Sequence, residues 1–121
     1  MMNPYLQVAL GGAIGSAARF GLYRALPAPG FPLATFMVNV AGSLLMGLLS
    51  ALLAQRGGAW APLLLTGILG GFTTFSAFSL DTLTLWERGQ GGLAAFYVAA
   101  SVLLSLAAVA LGLTIGRELW A

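Results

Sequence analysis

Apolar positions along the chain fall into four long blocks, at about residues 4–26, 32–54, 61–86 and 93–116. They are separated by Pro27-Ala28-Pro29-Gly30, by Gln55-Arg56-Gly57-Gly58 and by Glu87-Arg88-Gly89-Gln90-Gly91-Gly92. Clusters of Pro, Gly and polar residues stop helices. Each block reaches the roughly 20 residues that a helix needs to cross a hydrocarbon core about 30 Å thick. Apolar residues run around most of each helical circumference instead of alternating in ten-residue stretches, which argues against the strands of a membrane barrel. The pattern therefore predicts an all-α integral membrane protein, a single domain over residues 1–121 with four transmembrane helices, neighbours antiparallel because the loops are short. Small residues recur four apart at Gly11/Gly15, Ser43/Gly47, Gly67/Gly71 and Ala108/Gly112/Gly116. Such spacing lets helix backbones approach closely where lipid gives no hydrophobic drive for association. It marks more packing faces than a lone bundle needs, so a homo-oligomer is expected.

Composition sharpens that reading and removes several function classes. Sixty per cent of the 121 residues are hydrophobic and seven per cent charged, against roughly 25% charged in a soluble domain. No soluble catalytic domain fits beside four crossings. Cysteine and histidine are absent, which excludes disulfides, thiolate chemistry and the usual transition-metal ligands. With no nucleophile–base pair either, an enzyme is not expected. The net charge of +2 is too small and dispersed for a nucleic-acid partner. Met1-Met2-Asn3-Pro4 carries no basic residue and Arg19 interrupts the first apolar block, so that block reads as a retained helix and not a signal peptide. Arg56 and Arg117 fall on one side of the membrane, Arg24, Arg88 and the deeper Arg19 on or toward the other. Two against three is a weak positive-inside bias. A chain so balanced is expected to insert in both orientations, and two opposed copies would share a two-fold axis in the membrane plane.

Polar residues inside spans are costly and usually face protein or a watery path. The third block carries Gly67-Ile68-Leu69-Gly70-Gly71-Phe72-Thr73-Thr74-Phe75-Ser76-Ala77-Phe78-Ser79 at mid-span, where Gly-Gly weakens a helix and the hydroxyls cap the resulting half-helix ends. A break at that depth survives only against protein or a cavity, and it offers carbonyls at one half-helix end and N–H groups at the next. Asn39 lies deep in the second block, with Ser43 and Gly47 on its stripe; it reads equally as interhelical glue and as part of a path. Tyr97, Ser101 and Ser105 line up at i, i+4 and i+8 on the fourth block, and hydroxyls in a row could replace part of an anion's hydration shell. Phe72, Phe75 and Phe78 recur every three residues; packing is the default, but electropositive ring edges also suit an anion. Arg19 reads as a cation at a vestibule or as a snorkelling anchor. Asp81 and Glu87 are expected at the aqueous boundary or paired with an arginine.

These residues resemble the CrcB/Fluc family of fluoride channels. The resemblance is carried by Gly11-Gly12-Ala13-Ile14-Gly15-Ser16-Ala17-Ala18-Arg19-Phe20, by Thr35-Phe36-Met37-Val38-Asn39-Val40-Ala41-Gly42-Ser43, by Gly67 through Ser79, and by the Tyr97/Ser101/Ser105 row. It implies a dual-topology antiparallel homodimer with two fluoride pores, residing in the inner (plasma) membrane and exporting cytoplasmic fluoride by passive flow. On that basis Phe75 and Phe78 present ring edges to fluoride, Asn39 an amide donor, and Tyr97, Ser101 and Ser105 a polar track. Arg19 matches a vestibule arginine, and Gly70 and Thr73 match positions whose carbonyls hold a central structural sodium ion (Na+). One departure is visible: Ala77 stands where the family commonly has Thr.

Two rivals belong to other classes. A four-helix drug/proton exporter needs a carboxylate within the membrane, and the first two blocks contain none. A structural membrane subunit without transport would account for the glycines but leaves the broken third helix without a purpose.

Overall fold

A computed structural model describes residues 2–120, and among them every regular element is helical. The order is α1 (Pro4–Ala25), α2 (Leu33–Arg56), a π-helix (Pro62–Leu69), α3 (Gly70–Phe72), α4 (Phe75–Glu87) and α5 (Gly91–Leu119). The stretches Leu33–Arg56, Pro62–Glu87 and Gly91–Leu119 are long and apolar enough to cross a membrane. Helix α1 has 22 residues but is less apolar, since Gln7, Ser16 and Arg19 lie on it. Three of the four apolar blocks, the second, third and fourth, contain these span-length stretches to within three residues. The largest shift is at α5, which starts on the glycines assigned to the loop.

Two tight pairs form the frame: α1 against the π-helix and α3, and α2 against α5. Small residues make both possible. A Cβ on Gly67 would lie 2.9 Å from Gly11 Cα, and one on Gly47 would lie 3.0 Å from Gly112 Cα, so backbone meets backbone at both crossings. The glycines at these four-residue spacings thus mark helix packing as expected, whereas Ser43 and Ala108 line cavities.

The π-helix is the element the sequence did not announce. Its wider i→i+5 ladder is rare and concentrates at functional sites. Its start is tied down by Gln7, a buried side chain of α1 with 1% exposure, whose Oε1 accepts from Leu63 N–H at 3.2 Å while Nε2 donates to the Met2 carbonyl at 3.0 Å. One turn after the π-helix the chain breaks. Thr73 and Thr74 are extended, with ψ of 158° and 125°, and α4 then leaves α1 and packs against α5. A small core seals that contact, with Leu85, Ala94 and Tyr97 buried among Phe31, Phe36, Phe78 and Leu93.

Candidate functional site

The break is held open from α2. Asn39 accepts from Thr74 N–H at 2.8 Å through Oδ1 and donates to the Thr74 carbonyl at 3.0 Å through Nδ2, so one amide pairs both backbone groups of an extended residue as a β-strand would. In an unbroken helix Thr74 N–H would donate to the Gly70 carbonyl; turned toward Asn39, it releases that carbonyl from the ladder. The Thr74 hydroxyl caps α4 by accepting from Ala77 N–H at 3.2 Å and lies 3.2 Å from the Ser76 hydroxyl. Position 77 contributes its backbone N–H here, which alanine supplies as well as threonine. Arg19 Nη1 donates to the Thr73 carbonyl at 3.3 Å. That places the guanidinium on the C-cap carbonyl of α3, at a helix end that favours a cation.

Beside the break lies a cleft of about 310 Å³, walled by α2, the Thr73-Thr74 segment, α4 and α5. It brings together Asn39, Ser43, Phe75, Phe78, Ser101 and Ser105, and none of its lining side chains is ionisable. Phe75 and Phe78 pack with ring centroids 5.7 Å apart and planes tilted by 47°. Phe75 is 79% exposed.

Ser101 is the informative member. Hydroxyls inside helices usually return to the carbonyl four residues back, and Thr73, Ser79, Thr82, Thr84 and Thr114 all do so. Ser101 does not: its Oγ is buried, the residue is 5% exposed, and the oxygen has no hydrogen-bond partner. An unpaired buried hydroxyl costs about 1–3 kcal/mol, a cost that a species entering the cleft would relieve.

Not every residue of the expected set meets there. Tyr97, the first of the three in-line hydroxyl residues, is fully buried and lies outside the cleft lining. Its ring packs against Phe78, centroids 5.1 Å apart and planes tilted by 46°, and its hydroxyl donates to Asp81 Oδ2 at 3.2 Å. Asp81 was expected to face water or pair with an arginine; its observed partner is this phenol. Arg19 meets Thr73 at the end of α3, while Gly70 opens that helix; of these three only Thr73 also touches the cleft. Three polar residues escaped sequence reasoning. Gln7 is one; the others are Tyr23 and Thr35, whose hydroxyls share a 3.0 Å hydrogen bond, with Thr35 only 4% exposed. The signal for Thr35 was its place one turn before Asn39.

The chain is matched by a family profile described as CrcB-like protein, Camphor Resistance (CrcB), over residues 6–113. It is 64% identical to the fluoride-specific ion channel FluC of Paracoccus denitrificans (strain Pd 1222), with all of both chains covered. It is also 57% identical to the protein of the same name from Cereibacter sphaeroides (strain ATCC 17029 / ATH 2.4.9), with 97% of each covered. A third relative of that name, from Agrobacterium fabrum (strain C58 / ATCC 33970), is 52% identical over 93% of this chain and 95% of its own. A profile that matches most of the chain and relatives alike over nearly their whole length make this multi-pass membrane protein a member of the CrcB-like family.

Proposed function

We propose that the chain is a passive, fluoride-selective channel that lets fluoride accumulated in the cytoplasm leave across the inner (plasma) membrane. The observation that carries this reading is Ser101, whose buried hydroxyl has no partner, in the lining of a cleft with amide, hydroxyl and aromatic side chains but no ionisable one. A small, strongly hydrated anion needs several donors in a narrow path, and a deep fixed countercharge would trap it. Ser101 and Ser105 supply hydroxyls. Asn39 keeps one amide hydrogen beyond the one given to Thr74. Phe75 and Phe78 offer electropositive ring edges. Tyr97 extends the polar track past the cleft through its hydroxyl. The relatives named as fluoride-specific ion channels support the identity of the ion.

The working unit is an antiparallel homodimer of two oppositely inserted copies, each with four crossings, the first supplied by α1 and the third broken at Thr73-Thr74. Exposed Phe75, Ser76 and Ser79 favour it, since hydroxyls at membrane depth need protein cover. Each copy contributes one fluoride pore. The donors at the end of α3 fit a central structural sodium ion: the Gly70 carbonyl is freed from the ladder, the Thr73 carbonyl lies at a helix C-terminus, and a second copy would double the set. Such oxygen donors hold a hard cation without any carboxylate. Arg19 lies on the Thr73 carbonyl, so its positive charge acts at the break as well as on approaching anions.

The test is efflux from liposomes containing purified protein, followed with fluoride- and chloride-selective electrodes. Rapid fluoride loss with chloride retained is expected. Retention of both ions by well-reconstituted protein would overturn the proposal.

A further inference from the structure

A second cavity, of about 260 Å³, lies between the 28–32 turn and the end of α4, with Phe31, Asp81, Thr84 and Arg88 in its walls. We infer that it is the far mouth of the anion path, and that Arg88 serves there by offsetting the Asp81 carboxylate. This rests on the channel reading above.

Contacts of Tyr97 link the walls of the two cavities. Phe78 walls the first, and its ring centroid is 5.1 Å from that of Tyr97. Tyr97 has 0% exposure; it also meets Phe31, edge-on at 5.5 Å and 86°, and Asp81, which accepts the phenol hydrogen. Phe31 and Asp81 wall the second cavity. A link between the walls of two dead voids would need no polar group, whereas this one carries a hydroxyl that reaches the second cavity's carboxylate. Depth agrees. Tyr97 lies six residues into α5, about 9 Å from that helix end, so a route past it reaches the chain's surface through this cavity, where Arg88 is exposed.

Charge then sets a problem. A carboxylate beside an anion's exit repels the ion, yet Asp81 holds Tyr97 in place. Arg88 stands seven residues later, about two turns on at the C-cap of α4, and it lines the same cavity. The pair places the negative group inside and the positive group at the rim, so the mouth as a whole does not exclude anions.

The sequence contains no cysteine, so Arg88→Cys introduces a single thiol. Labelled in detergent before reconstitution, it carries no charge, a positive adduct or a negative adduct according to the methanethiosulfonate reagent used. Fluoride efflux from liposomes is expected to fall about fivefold for the unlabelled variant, the order produced by one unit charge within a nanometre of the ion. The positive adduct should restore it and the negative adduct lower it further. Equal efflux in all three states, with wild type conducting, overturns the assignment of Arg88 and leaves the channel reading intact; a wild type that passes no fluoride removes both. A second comparison guards against misfolding. Adding Asp81→Asn to Arg88→Gln keeps an oxygen for the Tyr97 hydroxyl, and it should recover most of the flux lost in Arg88→Gln. Effects that simply multiply would show that the two charges do not act on one another.

Discussion

Replacing Asn39 by aspartate changes one side-chain atom at the point where break and cleft meet. In Asn39→Asp the acceptor for Thr74 N–H, now at 2.8 Å, is retained, while the donor to the Thr74 carbonyl at 3.0 Å is lost. The carboxylate oxygen that replaces it faces a carbonyl oxygen. Leaving that buried carbonyl unpaired costs about 1–3 kcal/mol of local stability. The larger effect is electrostatic, because a full negative charge now lines a cleft without ionisable groups. For an anion about 4 Å away the repulsion runs from about 1 kcal/mol in a fully wetted path to about 4 kcal/mol at an effective dielectric of 20. Converted at 1.36 kcal/mol per decade, flux should drop between about fivefold and about a thousandfold. The assay is fluoride efflux from liposomes, with size-exclusion elution and thermal unfolding in detergent measured in parallel to separate blocked conduction from loss of fold. Efflux within twofold of wild type, from protein with normal elution, would refute both the path through this cleft and the role of the amide.

Other outcomes follow from the same geometry. Ser101→Ala removes a hydroxyl that has no partner, so the protein should become more stable, by about 1–3 kcal/mol, while fluoride efflux falls; an unchanged efflux would contradict its place on the path. Phe75→Ile and Phe78→Ile keep apolar volume but lose the ring edge, and efflux should be abolished with the oligomer retained on size exclusion. Gly112→Val inserts side-chain carbon where a Cβ would already lie 3.1 Å from Gly47 Cα; separation of α2 from α5 should cost several kcal/mol, of the order of overpacked cores or more, and appear as loss of monodisperse protein.

The helical pattern was legible because hydrophobic blocks and loop residues are local signals. Packing was legible too: Gly11 met Gly67, Gly112 met Gly47, and Gly15 met the backbone of Ile68 and Phe72. Roles that depend on a distant partner were not. Asn39 stood out as a polar residue in a span, but its clamp on Thr74 joins residues 35 apart in sequence. The Tyr97/Ser101/Ser105 row was read as one stripe, yet a four-residue step drifts by about 40° around a helix. Over two steps that drift turns Tyr97 toward Phe78 and Asp81 while Ser101 and Ser105 face the cleft. The π-helix left no trace because no residue pattern demands an i→i+5 ladder. Gln7, which secures its start, looked like a polar residue near a helix end. Within the Gly70-to-Ser79 string, Thr73 and Thr74 are extended, and Asn39 and the Thr74 hydroxyl take up the backbone groups there.

The central claim is passive conduction selective for fluoride, and the reversal potential tests it most directly. With purified protein in a planar bilayer, a tenfold fluoride gradient and equal chloride on both sides, the current should reverse near the fluoride equilibrium potential, about 59 mV in magnitude. It should stay there when the pH of one side is changed. Reversal near zero, or a potential that follows the proton gradient, would contradict the account.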